Sequence, residues 1–240
     1  MTDDIIRLRY TSGEYHEHNP SWDLEDSPWK AARVQSLLAA HGIRPRTLAE
    51  VGCGAGAVLA ALRPVLPETE LYGFDIAPAA ARFWERHAPA RIHFELGDFF
   101  EVSQRCYDIV LVLDVLEHLA NPFDFLVRLL GHAPLFVFHF PLDLSAVSVL
   151  RESPLLYVRD KVGHLHYFTK GLALALLEEC GYEVVGSQYT GAAFSAPQRT
   201  WRTQLGGLAR RLTYAMNKDF GVRLLGGETL MVLAKHRSTP

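Results

Sequence analysis

The stretch Glu50-Val-Gly-Cys-Gly-Ala-Gly56 decides how this chain folds. The apolar run Thr47–Val51 predicts a strand and Ala55–Leu66 predicts a helix, so the glycines occupy the turn between them. Glycines at such a junction remove Cβ atoms, which lets a ligand lie against the backbone, and the start of the helix offers free N–H groups. The spacing Gly52-x-Gly54-x-x-Ala57 also satisfies the template of dinucleotide-binding loops. The loop alone therefore predicts a nucleotide site and leaves the nucleotide open.

Outward from this turn, short apolar runs alternate with helical ones, a pattern typical of a parallel sheet covered on both faces. Six further strands are predicted, at Glu70–Asp75, Arg91–Leu96, Tyr107–Leu113, Pro134–Phe140, Tyr182–Tyr189 and Glu228–His236. Further helices are predicted from Ser27 to Gly42, from Pro78 to about His87, and over Phe123–Leu130 and Lys170–Cys180. We therefore expect an α/β fold with a doubly wound, mostly parallel seven-stranded sheet and helices on both faces.

The composition excludes several classes of protein. The chain has 240 residues, 49% of them hydrophobic and 21% charged, so it is not a disordered chain, which lacks the apolar surface to offset ordering entropy. The most apolar runs are strand-sized and too short to span a membrane, and the first residues carry two acids and no apolar core of a signal peptide. A net charge of −3 argues against a dominant phosphate-binding surface. Three widely spaced cysteines fit reduced thiols, so we expect a cytoplasmic protein.

The chain divides into an N-terminal arm, residues 1–28, and a domain, residues 29–240, with insertions at 142–162 and 190–227. The arm is rich in aromatic and acidic residues. Its default interpretation is a solvated arm, and our hypothesis is a lid that covers the cofactor and shapes the acceptor pocket. The insertion at 142–162 is predicted to be irregular and functional, as the opposite wall of that pocket.

The second insertion, 190–227, carries six basic residues and one acid, a local formal charge of +5. Trp201, Leu205, Leu208 and Leu212 recur at helical spacing, although Gly206-Gly207 weakens a helix there. We favour a helix that packs on the domain with its basic face solvated. The alternative is a docking surface for an anionic substrate, a membrane surface or a second subunit, and a homodimer is therefore a further expectation.

Polar residues also follow the other predicted strands. Asp75 ends the second strand, where a carboxylate can accept hydrogen bonds from both hydroxyls of a ribose; its structural alternative is to cap the helix that Pro78 begins. The third strand leads into Gly97-Asp98-Phe99, and the fourth into Leu113-Asp114-Val-Leu-Glu117-His118.

Taken in order, Glu50-Val-Gly-Cys-Gly-Ala-Gly56, Gly73-Phe-Asp-Ile76, Gly97-Asp98, and Tyr107-Asp-Ile-Val with Leu116-Glu-His-Leu119 resemble the successive motifs of class I S-adenosylmethionine-dependent methyltransferases. The resemblance covers roughly residues 45 to 190. Gly163-His-Leu-His-Tyr-Phe-Thr169 and Gly181-Tyr-Glu-Val184 resemble the small-molecule branch, including ubiquinone-biosynthesis O-methyltransferases. The resemblance implies the Rossmann-like methyltransferase fold, with the last strand antiparallel, and methyl transfer to a small-molecule acceptor.

The resemblance also implies roles at the methionine end of the cofactor. The backbone of Gly52, Gly54 and Gly56 would hold the methionine part of S-adenosylmethionine. Glu50 would support the loop or the ammonium group, and Asp114 would approach that ammonium. Sulfonium and ammonium are cations, so surrounding carboxylates are physically sensible partners.

At the nucleoside end, the resemblance implies that Asp75 binds the ribose and that Ile76 packs against adenine. Asp98 would accept a hydrogen bond from the adenine amino group, and the backbone of Phe99 would meet the ring.

Three histidines are candidate bases for a hydroxyl acceptor, because an imidazole near neutral pKa suits proton removal. His118 and His139 follow the fourth strand and end the fifth, and His166 lies on an extended segment with His164. Each has a structural alternative. We expect the methylated atom of the acceptor to be oxygen rather than nitrogen or carbon, an expectation that rests on these histidines and on the resemblance. In the ubiquinone-type enzymes an acid-x-x-Glu-His run is associated with magnesium, so Asp114, Glu117 and His118 leave a metal site open.

Two other functions remain alternatives: an NAD(P)-dependent oxidoreductase, and a cofactor-binding partner protein without catalysis. Dinucleotide enzymes have no reason to carry the third and fourth motifs. Nucleic-acid methylation is disfavoured, because the fourth strand is followed by Asp114-Val-Leu-Glu117 rather than an Asn/Asp-Pro-Pro-aromatic run, and no platform of interleaved aromatic and basic residues is evident.

Overall fold

A computed structural model describes residues 2–22, 24–192 and 201–237. One sheet contains seven strands in the order β3-β2-β1-β4-β5-β7-β6, and β7 is antiparallel to both of its neighbours. The strands are β1 Thr47–Val51, β2 Glu70–Asp75, β3 Ile92–Leu96, β4 Ile109–Leu113, β5 Leu135–Pro141, β6 Tyr182–Tyr189 and β7 Thr229–His236. The predicted seven-stranded, mostly parallel sheet with an antiparallel last strand is confirmed.

Helices cover both faces of the sheet, as expected. They are α1 Thr2–Thr11, α2 Glu14–His18, α3 Ser27–Ala40, α4 Ala57–Leu62, α5 Pro78–Ala81, α6 Phe99–Val102, α7 Pro122–Leu129, α8 Ala146–Arg151, α9 Ser153–Tyr157, α10 Lys170–Glu179, α11 Trp201–Met216 and α12 Lys218–Leu225. On one face Val34 of α3 and Leu59 of α4 pack against the sheet. On the other, Leu126 of α7 and Leu177 of α10 pack against Phe136.

The strand order places a topological switch point between β1 and β4, because the chain runs outward from β1 on one side and from β4 on the other. The carboxyl ends of β1, β2, β4 and β5 lie at one edge of the sheet, since these strands are parallel and in register. Ligands of open α/β sheets bind at this edge. The loop after β1 and the turns after β2, β3 and β4 therefore converge there.

Several predicted helix boundaries were wrong. The helix after β1 spans six residues instead of the twelve expected. Gly56 precedes it in the left-handed conformation. The helix ends at Leu62, two residues before Pro64, because proline has no N–H to continue the helical hydrogen bonds. The helix from Pro78 ends at Ala81, and a 3₁₀ turn over Trp84–Ala90 replaces its second half.

The insertion at 142–162 is not irregular as expected, because it forms α8, α9 and a π-helical turn over Val158–Val162. A capping box of two serines explains the first helix: Ser145 accepts from the backbone of Ser148, and Ser148 accepts from the backbone of Ser145. Pro154 at the start of α9 is pre-set for a helix.

The second insertion forms α11 and α12, so the predicted helix is confirmed despite its two glycines. Arg199 lies outside the described residues. Leu208 and Leu212 were expected to pack on the domain, and both are more than half exposed. The helix is held instead through Tyr214, whose hydroxyl donates to the carbonyl of Gly226 at 2.9 Å. Within the part of the chain that the structure describes, every helix is too short or too polar to cross a bilayer.

Candidate functional site

The glycine loop after β1 is held in a conformation that glycine favours. Gly52, Gly54 and Gly56 have φ of 74°, 51° and 75°, all in the left-handed region. A Cβ on Gly52 would lie 2.5 Å from a methyl group of Val115, and one on Gly56 would lie 2.5 Å from the ring of Phe94. Gly52 and Gly54 line a cavity at the carboxyl edge of the sheet, whereas Gly56 begins α4.

Asp75 fixes the shape of this loop. One carboxylate oxygen accepts from the backbone N–H of Gly54 at 2.8 Å, and the other accepts from that of Ala77 at 2.8 Å. Burial raises the pKa of Asp75, and these backbone donors oppose the rise. The side chain thus joins the loop after β1 to the turn after β2. It does not cap the helix that Pro78 begins, because the N-cap residue of α5 is Ala77 and no side chain caps that helix.

Asp98 lies at the end of β3 and caps α6, where it accepts from the backbone N–H of Phe100 at 3.0 Å. Its other carboxylate oxygen forms an ion pair at 3.1 Å with Arg7 of the N-terminal arm. Ile76 and Phe99, the two residues expected to contact adenine, both line the cavity. Ile76 is partly exposed, whereas Phe99 is almost wholly buried.

Asp114 follows β4 with φ of 53°, an unusual conformation for a residue other than glycine. One carboxylate oxygen contacts Nδ1 of His139 at 2.6 Å, and the other contacts Nζ of Lys30 at 2.7 Å. Burial raises the pKa of Asp114, but the two partners outweigh it and hold that pKa below its ordinary value. His139 in turn contacts the hydroxyl of Thr229 at 2.7 Å, so both ring nitrogens are engaged.

Glu50 is the exception among the acids. Its side chain is 2% exposed, and its Oε2 has no hydrogen-bond partner among the described residues. Burial raises the pKa of Glu50 to about 8, against the attraction of Lys30. At neutral pH the side chain is therefore mostly protonated and ready to ionise beside a cation.

The cavity itself has a volume of about 420 Å³, within the usual range of small-molecule sites. The arm supplies one wall: Arg7, Tyr10, Tyr15 and Trp22 line it beside the glycine loop. Tyr15 is 7% exposed, so at least this part of the arm is packed rather than solvated. Whether the arm opens as a lid stays a prediction.

The three candidate histidines lie in different surroundings. His118 lines the cavity, and His139 and His166 are absent from the described lining. His166 donates from Nε2 to the carbonyl of Leu119 at 2.9 Å. Burial, then His164, lowers the pKa of His118 to about 3, so its imidazole is neutral. A catalytic base among these three histidines stays a prediction.

Sequence reasoning missed Lys30 and Arg7, whose positive charges meet Asp114 and Asp98 inside the site. The sequence signal for Lys30 was weak, because the first turns of α3 also carry Arg33 and the pattern does not tell which of the two faces the site. Nothing in the sequence pattern connects Arg7 with Asp98, because their pairing depends on how the arm folds back.

Comparison with known proteins agrees with this geometry. Residues 49–133, which run from β1 to two residues before β5, match the family model of a methyltransferase domain. Among curated proteins the sequence has no match.

Solved structures share the fold at low identity. The magnesium protoporphyrin IX methyltransferase of Synechocystis PCC 6803 with bound SAM is 15% identical, with a TM-score of 0.62, covering 98% of this chain and 97% of that one. The plantazolicin methyltransferase BpumL, with a substrate analogue and SAH, is 17% identical (TM-score 0.63; 97% and 94% covered). The N-methyltransferase NodS of Bradyrhizobium japonicum WM9, with SAH, is 16% identical (TM-score 0.57; 90% and 92% covered). At such identities the likeness establishes the fold.

Proposed function

We propose that this chain, with its methyltransferase domain at residues 49–133, transfers a methyl group from S-adenosylmethionine to the hydroxyl oxygen of a small molecule. The observation that carries the proposal is the cavity at the switch point, where a glycine loop in left-handed conformation meets four acids from four strand ends. The chain is an S-adenosylmethionine-dependent methyltransferase, and the solved structures with bound SAM or SAH support this cofactor.

The residues present fit the cofactor. Gly52 and Gly54 leave backbone exposed to the cavity, since no Cβ covers it. The unpartnered, buried Oε2 of Glu50 offers a carboxylate to the ammonium group. Asp75 lines the cavity, and each of its oxygens accepts one backbone N–H and keeps a lone pair for a ribose hydroxyl. Asp98 also lines the cavity and would accept from the adenine amino group.

When bound, the cofactor supplies a methyl group activated by its sulfonium. The chain's own task is to hold the acceptor in line and to lower the cost of losing its proton. His118 is the candidate histidine that reaches the cavity, and we place the acceptor oxygen on its side. The aromatic rings of Tyr10, Tyr15 and Trp22 enclose the same space and favour an acceptor with apolar surface.

Calorimetry and thermal shift with S-adenosylmethionine, S-adenosylhomocysteine and NAD(H) test the cofactor. We expect saturable binding of the first two and none of the third. Asp75→Ala should abolish it, whereas Asp108→Ala, which removes an acid at the opposite end of β4, should leave binding intact. Failure to bind either sulfur compound at millimolar concentration, or preferential binding of NAD(H), contradicts the proposal.

Turnover with a panel of hydroxylated small molecules and labelled S-adenosylmethionine then tests catalysis. Methyl transfer to oxygen is expected; transfer to nitrogen or carbon alone contradicts the choice of atom. Binding of the cofactor without turnover of any acceptor favours the non-catalytic alternative. A cytoplasmic location and a homodimer remain predictions.

A further inference from the structure

Beside the cavity, two histidines and a glutamate meet away from the acids described above. Ligand atoms of Glu117, His118 and His164 all lie within 4.8 Å of one another, and Nε2 of His118 is 4.0 Å from Oε1 of Glu117. The rings of His118 and His164 meet edge to face, with centroids 5.0 Å apart. Chain segments 46 residues apart are thus brought to one point.

The backbone holds this meeting in place. The carbonyl of Glu117 accepts from the N–H of Leu165 at 2.7 Å and from that of His166 at 3.1 Å. These bonds fasten the segment after Gly163 against the 3₁₀ turn that carries Glu117 and His118. The arrangement is therefore built by the fold rather than by flexible side chains.

Both imidazoles are oriented by a partner on Nδ1. His164 is 2.7 Å from the carboxylate of Asp143, and His118 is 3.2 Å from the carbonyl of Gly163. Because both partners accept, each Nδ1 carries the proton, and each Nε2 keeps its lone pair. A carboxylate or carbonyl behind a histidine is the usual support of a metal-binding imidazole.

The glutamate is the independent sign of a missing partner. Glu117 is wholly buried, and neither of its carboxylate oxygens has a hydrogen-bond partner among the described residues. A buried carboxylate without a partner is costly, and native structures rarely keep one. A cation between Glu117 and the two imidazoles removes that cost.

We propose that Glu117, His118 and His164 form a binding site for a divalent transition metal ion of the zinc, iron or cobalt type. Two imidazoles and one carboxylate, with positions left for water or substrate, are the ligand set of catalytic zinc and of non-haem iron. Metal–ligand bonds of about 2.1 Å set ligand atoms roughly 3.4 Å apart. Small rotations of the three side chains close the remaining gap.

The set differs from the magnesium reading of the sequence in both residues and metal. Asp114 is engaged by Lys30 and His139 and does not join the cluster, and His164 takes its place. Magnesium prefers oxygen ligands and water, and two imidazole nitrogens make a poor site for it.

His118 lines the cavity, so the metal would sit at its wall. The hydroxyl of Tyr10 there is buried and has no hydrogen-bond partner in the part of the chain that the structure describes, and its ring centroid is 5.9 Å from that of His118. A metal in this position would bind the acceptor hydroxyl and lower its pKa, so that the proton leaves to solvent. This role rests on the proposed function, and it makes His118 a ligand rather than a base; the metal site itself does not depend on it.

The test is titration of the metal-depleted full chain with Zn²⁺ and Mg²⁺ by calorimetry, without cofactor or acceptor. One Zn²⁺ per chain is expected, bound at least 100-fold more tightly than Mg²⁺. Glu117→Gln and His164→Gln should each weaken Zn²⁺ binding more than 10-fold, and Asp143→Asn should weaken it 10- to 100-fold through His164.

Two variants serve as matched controls. His166→Gln alters a partly buried histidine of the same segment that bonds to a backbone carbonyl, and His18→Gln alters an exposed histidine of the arm. Both should bind Zn²⁺ like the wild-type chain. Circular dichroism confirms that each variant folds, and the visible absorption of bound Co²⁺ in the wild-type chain reports nitrogen and oxygen ligation without any substitution.

Absence of one-to-one binding in the wild-type chain overturns the proposal. So does unchanged affinity in the Glu117 and His164 variants, an equal loss in His166→Gln, or equal affinity for Mg²⁺. Since no cofactor takes part, a negative result here leaves the proposed methyl transfer standing, and a failed turnover assay leaves the metal site standing.

Discussion

Replacing Glu50 with glutamine separates the charge of this side chain from its shape. With a pKa of about 8, roughly one tenth of the wild-type side chains are ionised at pH 7 and roughly nine tenths at pH 9. If the ionised form binds the cofactor ammonium, the dissociation constant of S-adenosylhomocysteine should fall about 10-fold over this range, or about 1.4 kcal/mol.

Calorimetry from pH 6.5 to 9 measures the effect. Wild-type affinity should rise with pH and level off above about pH 8, with proton release on binding below it, seen by comparing buffers of different ionisation enthalpy. Glu50→Gln should lose this rise. The ligand's own amino group titrates equally in both proteins, so it cancels in the comparison. Glu101→Gln, an exposed acid in α6, should follow the wild-type curve.

The same substitution should also change how the free energy of unfolding depends on pH. The folded pKa of about 8 lies above the ordinary 4.5, so the folded chain holds the proton more tightly, and stability falls as the pH rises from about 4.5 to about 8. Glu50→Gln should therefore gain stability over wild type as the pH rises through this window in urea unfolding. Parallel affinity curves for the two proteins, or an unchanged stability difference between pH 5 and 8, would refute the reasoning.

Three further predictions concern the frame of the site. Gly52→Ala places a Cβ 2.5 Å from a valine methyl group at φ of +74°, so we expect a stability loss of about 1–3 kcal/mol and weaker cofactor binding; Gly131→Ala, with open space, should change neither in thermal melts. Asp114→Asn removes the charge on the carboxylate that contacts Lys30 and His139 and should cost about 1–3 kcal/mol in urea unfolding, against less than about 1 kcal/mol for the exposed acid in Asp124→Asn. Deleting residues 1–26 should weaken cofactor binding in calorimetry if the arm is a lid, and unchanged affinity and turnover would reject the lid.

The sheet was predictable because each strand is marked by a short apolar run in its own sequence. The run Ile109–Leu113 is apolar at every position and wholly buried or nearly so, as expected for a central parallel strand. Where the predicted helix boundaries were wrong, tertiary contacts or short capping motifs determined the observed structure. The 3₁₀ turn after Ala81 is fixed by Trp84, which donates to the carbonyl of Gly54 at 2.9 Å and stacks on Phe94. Neither contact can be read from the helix itself.

The site divides in the same manner. Strand-end positions predicted which residues reach the carboxyl edge, so the glycine loop, Asp75 and Asp98 appear where expected. Their partners were not predictable, because Lys30 and Arg7 arrive from elements whose packing the sequence leaves open. The meeting of His164 with Glu117 likewise depends on backbone bonds across the insertion, although each residue type was visible in its own motif.

Four acids around one cavity are not four equal charges. Asp75 is committed to backbone donors, Asp98 shares its charge with Arg7, and Asp114 is balanced by Lys30 and His139. Of these four acids, Glu50 alone has a buried oxygen without a hydrogen-bond partner among the residues that the structure describes, and its pKa lies near the working pH. A cation that enters here therefore gains most from ionising Glu50, because the other carboxylates already have their compensation. It follows that the site carries less negative charge before a ligand binds than its four acids suggest, and that binding of a cationic ligand is coupled to the loss of one proton from Glu50.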